Sequence, residues 1–214
     1  MSDATKSPLE TLIGPLEEFE YYADHQPAGD ESPFERLYIS LDVEDPQPDR
    51  EYGLEIFFIN DVTEAFGDQE VEEDAILAQF MLILPFRIRV DAYLEVMRYC
   101  NLVNRMLPIG AFGLSEQDEA AYLRYCLATE SRAIPHDVLI EVVSAMEYAC
   151  KAYAPQFEEL STGAKNTMPT SASLSRPASN SPPWVTLRCS STREPARSGM
   201  LHYSIIYHTI CSIG

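Results

Sequence analysis

The sequence predicts an α+β fold, an antiparallel five-stranded sheet in the order α-β-β-β-α-β-β-α with helices packed mainly on one face, followed by a disordered C-terminal tail. Three observations carry this prediction. Several segments alternate apolar and polar residues and are joined by short turns. Two longer segments repeat apolar residues at intervals of three and four. The texture changes near residue 161, beyond which 11 serines and Pro169, Pro177, Pro182, Pro183 and Pro195 accompany no sustained period. Such a segment buries too little apolar surface to offset chain entropy. The folded domain is therefore placed at 5–160 and the tail at 161–214.

Ser7-Pro8-Leu9-Glu10 opens the first helix with a capping serine, a proline at the first helical position and a glutamate three residues after the cap. Gly14-Pro15 predicts a kink or a split within it. After a Pro/Gly/acid loop, Phe34 to Val43 alternates with Leu37, Ile39, Leu41 and Val43 on one side. The turn residues Asp45 to Asp49 lead to a second strand, Tyr52 to Ile59, and the two form a hairpin. Ile76 to Leu84 is apolar on both sides and ends at Pro85, which reads as an interior strand.

Asp91 is the expected cap of the middle helix, whose stripe is Tyr93, Val96, Met97, Cys100, Val103 and Leu107. Ala111 to Leu114 and Ala121 to Ala128 flank a turn and form a second hairpin, with Leu123, Tyr125 and Leu127 opposite Tyr122, Arg124 and Cys126. The last helix starts at Pro135, and its stripe runs from Val138 to Tyr153 before Pro155.

Charge narrows the function classes. The 214 residues carry 34 acids and 15 Lys plus Arg, a formal charge of -19. Residues 1–80 hold 22 acids and 3 bases, whereas 161–214 hold 1 and 5. An acidic surface repels phosphate, so no nucleic-acid partner is expected. No apolar run reaches the roughly 18 residues of a membrane span, and no membrane partner is expected. Met1 to Lys6 is polar, with no apolar signal region, and the five cysteines form no C-x-x-C pair. Both features point to the cytoplasm.

Motifs of chemistry are missing. The chain has no phosphate-binding glycine loop, no H-E-x-x-H and no G-x-S-x-G. Neither a catalytic residue nor a cofactor is expected. Asp61, Glu64, Asp68, Glu70, Glu72, Glu73 and Asp74 lack the glycine and ligand rhythm of a calcium loop, so 61–74 reads as a solvated acidic loop and no metal is expected. What remains is a surface. Tyr38, Phe57, Ile59, Tyr122 and Arg124 lie on the strand side opposite the core set. Aromatics gathered on a second sheet face mark either a contact surface or a face covered by the first helix or the tail.

Asn104-Arg105-Met106-Leu107-Pro108-Ile109-Gly110-Ala111-Phe112 joins the middle helix to the second hairpin, and within the element order above this resembles the YbjN-like bacterial domains. Tyr122 to Leu127 is similar to their final strand, and Tyr153-Ala154-Pro155 to the end of their last helix. These domains are similar in fold to class I type III secretion chaperones. The resemblance covers roughly 8–160 and is clearest over 80–160. It implies a non-enzymatic, cytoplasmic, dimeric module, a sensory transduction regulator or chaperone-like binder with a protein or peptide client. The homodimer would use the middle helix, through Tyr93, Val96, Met97 and Cys100. The rival readings are a small hydrolase or transferase with an acidic cleft, and an acidic regulator that mimics nucleic acid.

Overall fold

Strand pairing organises the chain. The computed structural model describes residues 6–30, 32–45, 47, 50–66 and 75–162; the expectations for the acidic run 68–74 and for the tail beyond 162 lie outside the described residues. The elements are α1 (Ile13–Glu17), β1 (Tyr22–Gln26), β2 (Arg36–Leu41), β3 (Tyr52–Phe58), α2 (Ile59–Phe66), β4 (Ile76–Arg87), α3 (Tyr93–Asn104), β5 (Ala111–Ser115), β6 (Ala120–Thr129) and α4 (His136–Ser161). Short 3-10 turns precede α1 and α3. Every strand pair is antiparallel, in the spatial order β1-β2-β3-β4-β6-β5.

The sheet thus has six strands rather than the five expected, and the addition is β1. Tyr22-Ala23-Asp24-His25-Gln26 has too little apolar contrast to announce a strand. Its register with β2, Tyr22 opposite Ser40 through Gln26 opposite Arg36, makes it one. The second addition is α2, so Asp61 and Glu64, expected in a solvated acidic loop, are helical instead, and Asp61 accepts from Arg132 at 2.8 Å. The Asn60 carboxamide accepts a hydrogen bond from Leu77 N–H (3.0 Å) and donates one to the Ala75 carbonyl (3.2 Å), which turns the chain off the sheet after Phe58. Ile59, expected to close the strand, begins α2 instead.

At the N-terminus the predicted split is present. Ser7 Oγ accepts from Leu9 N–H (3.2 Å), a 3-10 turn spans Glu10–Leu12, and α1 follows. Gly14-Pro15 falls in the first turn of α1, where an N–H has no intrahelical partner to lose. Asp91, in contrast, does not cap α3. Both of its carboxylate oxygens are taken by Arg89, at 3.0 and 2.6 Å.

Two prolines fail to end their elements. β4 passes through Pro85 because its pairing with β6 shifts register between Ile83 and Arg87, where no ladder donor is needed. α4 passes through Pro155 and runs on to Ser161. An interior proline costs about 3 kcal/mol. The extra turn buries Phe157 and Leu160, worth about 1.5–3 kcal/mol each. Phe157 also stacks on Tyr99 and Phe112, with ring centroids at 4.7 and 4.8 Å. Burial therefore outweighs the break.

The core lies on one side of the sheet. Leu37, Ile39, Leu54, Ile56, Phe80 and Leu82 are fully buried beneath Leu12 and Leu16 at the N-terminus, Val96 and Tyr99 of α3, and Met146 and Phe157 of α4. At the edge formed by β5, the Asn104 side chain takes the place of a missing strand. Its amide donates to the Phe112 carbonyl at 2.9 Å and its oxygen accepts from Phe112 N–H at 2.8 Å.

Candidate functional site

With the core on one side, the alternate residues of every strand form an outward face. One row crosses all six strands in register: Asp24, Tyr38, Glu55, Met81, Arg124 and Ala111. Beside it lie Ile83, Tyr122 and Gly113. Ile83 is 57% exposed, a high value for an isoleucine in the middle of a long strand. None of Tyr38, Phe57, Met81, Ile83 or Tyr122 belongs to the core cluster that the helices share.

Two glycines shape this face. A Cβ at Gly53 would fall 2.3 Å from the Tyr38 ring, and one at Gly113 would fall 2.4 Å from the Tyr122 ring. Each tyrosine therefore lies down across the strand beside it, over the one residue type that leaves room. The Tyr38 phenol is pushed up to about 12, first by burial and then by the carboxylates of Glu51 and Glu55. Glu55 also accepts from Arg36 at 3.3 Å. The result is a mixed surface in which fixed aromatic rings and apolar side chains are interleaved with charged ones.

One corner of the face is closed. Phe57 meets Phe34 at 5.4 Å between centroids, and Phe34 meets Phe66 of α2 at 6.4 Å. Gln79, next to Phe57 in register, is buried, and its amide donates to the carbonyls of Phe80 and Tyr125 at 3.1 and 3.2 Å. Cys126 is an exposed free thiol whose titration is raised by partial desolvation, with Arg124 opposing.

The structure therefore brings Tyr38, Phe57, Tyr122 and Arg124 onto one face, all half-buried, and removes Ile59 from it. Met81 and Ile83 belong to the face but were hidden in a run that looked apolar on both sides. The buried set Ala78, Phe80, Leu82 and Leu84 holds the inward parity, so the odd-numbered residues point out.

The residues expected at a dimer contact are divided by the same geometry. Val96 is fully buried and Cys100 is 6% exposed, so neither reaches a second copy. Tyr93 packs against the core and donates its hydroxyl to the Glu116 carbonyl at 3.0 Å. The stripe read from the sequence is the inner one. Only Met97 of the four faces outward, in line with Leu94 and Val90.

This is an α+β domain with α1, α3 and α4 behind one sheet face and a mixed aromatic and charged surface on the other. Residues 69–159 match the YbjN family, described as "putative bacterial sensory transduction regulator". The matched part includes β4, α3, β5 and β6, and with them Ile83, Tyr122, Arg124 and the Asn104 contact to Phe112. Tyr38 and Phe57 lie before it. No curated protein matches the chain. Among the described residues, no helix is long and apolar enough to cross a membrane.

Proposed function

We propose that the chain is a non-enzymatic, cytoplasmic regulatory or chaperone-like module that accepts a polypeptide partner on the outward sheet face. The observation that carries this reading is the pair of tyrosines laid over Gly53 and Gly113 on either side of the exposed Ile83. Rings held in place by the backbone lose little rotamer freedom when a partner lands on them, which favours binding over a mobile surface. The regulator description of the matched family supports the same class. The three described cysteines are free thiols, in keeping with a reducing compartment. A homodimer through α3 would use Leu94 and Met97, with Val90 of the turn before it.

The test is titration of the full chain with a labelled, permanently unfolded model polypeptide. Binding is expected to persist at about 0.5 M salt, where charges are screened beyond roughly 4 Å. It is expected to weaken at least tenfold, about 1.4 kcal/mol, in Ile83→Asp and Tyr122→Asp. Binding that disappears in salt and ignores both substitutions would instead favour nucleic-acid mimicry.

A further inference from the structure

The two edges of the sheet are not equivalent. At β5, the Phe112 N–H and carbonyl are already occupied by Asn104. Among the described residues β1 has β2 as its only strand partner, and no side chain or backbone group bonds to its far side. Alternate residues of an edge strand direct an N–H and a C=O away from the sheet, where they can template a further strand.

The surroundings of β1 state what kind of chain fits. Phe19 is 60% exposed and Tyr22 is 66% exposed, on either side of the entry into the strand. Glu17, Glu18, Glu20, Asp24 and Asp30 are all exposed, and residues 17–30 contain no Lys or Arg. No ion pair with a described cation neutralises any of the five. Tyr22 and Asp24 share the outward side of β1 through their register with Ser40 and Tyr38. An added strand would set its own alternate residues beside these two.

We propose that the β1 edge takes an extended cationic peptide as a seventh strand, with an apolar residue over Tyr22 and a Lys or Arg beside Asp24. This rests on the polypeptide-binding reading above and assigns it an edge and a partner chemistry. Main-chain bonds supply the affinity and the two side-chain contacts the selectivity. The surrounding carboxylates speed encounter with a basic chain.

The probe is a labelled nine-residue peptide (the Lys/Val peptide), Ser-Val-Ser-Lys-Ser-Val-Ser-Lys-Ser, whose Val and Lys fall two residues apart on one face, titrated into the full chain at about 0.15 M salt and followed by fluorescence anisotropy. Two companions are a Glu/Val peptide with Glu in place of Lys, and a Lys/Val peptide N-methylated at adjacent central residues, so that a methyl faces β1 in any register. The Lys/Val peptide is expected to bind, to lose at least tenfold on N-methylation and in the Tyr22→Ser/Asp24→Lys variant, and to be indifferent to Ile83→Asp. No binding by the Lys/Val peptide, equal binding by the Glu/Val peptide, or tolerance of N-methylation overturns the proposal. Because N-methylation alters only the probe, that arm stands even if a variant folds poorly. A Lys/Val peptide that responds to Ile83→Asp and not to Tyr22→Ser/Asp24→Lys leaves the outward-face reading intact and removes only the β1 edge. Binding at β1 without any uptake of the unfolded polypeptide does the reverse.

Discussion

The carboxamide of Asn104, at the end of α3, pairs with both backbone groups of Phe112 in the edge strand β5. A helix terminus thereby supplies the hydrogen bonds that a neighbouring strand would make, and it closes an edge that would otherwise be open to another chain. The loop between them, Arg105 to Gly110, lies within the Asn104–Phe112 segment that resembles the YbjN-like domains. Its length is what lets the carboxamide meet the strand.

Replacing Asn104 by Ala removes both bonds. Leaving buried or half-buried backbone groups unpaired costs about 1–3 kcal/mol, so the urea midpoint is expected to fall accordingly. Light scattering is expected to show association through the reopened β5 edge. An unchanged midpoint and an unchanged size would mean that Asn104 holds nothing.

Gly53→Ala would drive the Tyr38 ring off the strand, since the new methyl would sit at 2.3 Å from it. The far end of a tyrosine can swing away, so the stability loss is expected to stay below about 1–3 kcal/mol, the usual cost of overpacking. The phenol would leave its buried position and the neighbourhood of Glu51 and Glu55. Its titration, seen by ultraviolet absorbance, is expected to fall from about 12 toward the ordinary value of 10.0. A phenol still titrating as before would show that the glycine does not set the ring.

Phe157→Ala tests why α4 continues past its proline. Truncation of a buried phenylalanine costs about 3–5 kcal/mol, a large share of the stability of an ordinary domain. A chain shortened to end at Pro155 is expected to lose at least as much, because Leu160 goes too. A loss below about 1 kcal/mol in Phe157→Ala would contradict the stacking of this ring on Tyr99 and Phe112 as the reason for the added turn.

Burial pushes the Cys150 thiol up to about 12 and the Cys100 thiol up to about 11, from an ordinary 9.0. Between pH 9 and those values the unfolded chain has released the protons that the folded chain keeps. Stability from these groups is therefore complete below pH 9 and declines as pH rises toward 11 and then 12. Urea midpoints that stay level from neutral to strongly alkaline pH would contradict the burial. In a Cys189→Ser/Cys211→Ser background, Cys126 is expected to react with a thiol reagent in the native state and the other two only on unfolding.

Much of the architecture was legible because periodicity reports burial directly. Leu37, Ile39 and Leu41, or Val96, Cys100 and Val103, repeat at the interval of the element that buries them. The same reasoning did not separate inner from outer residues of α3, for an apolar stripe does not say whether it faces a core or a partner. Tyr93, Val96 and Cys100 were spent on the core, which left Met97 and Leu94 outside. On the sheet, Tyr38, Phe57, Tyr122 and Arg124 followed from parity alone, but Ile59 did not, because Asn60 bonds across to Leu77 and Ala75 and ends the strand one residue early.

Local pattern alone determined the class of fold, most of its strands and helices, and which side of each strand meets the core. Those features depend on side chains a few positions apart. Tertiary contact decided the sixth strand, the passage of α4 through Pro155, the closed edge at Phe112 and the posture of Tyr38 and Tyr122 over glycines. Each needs a partner brought from elsewhere in the chain: β2 for β1, Tyr99 for Phe157, Asn104 for Phe112, Gly53 for Tyr38. Spacing along a sequence carries no distance between residues that only folding makes neighbours.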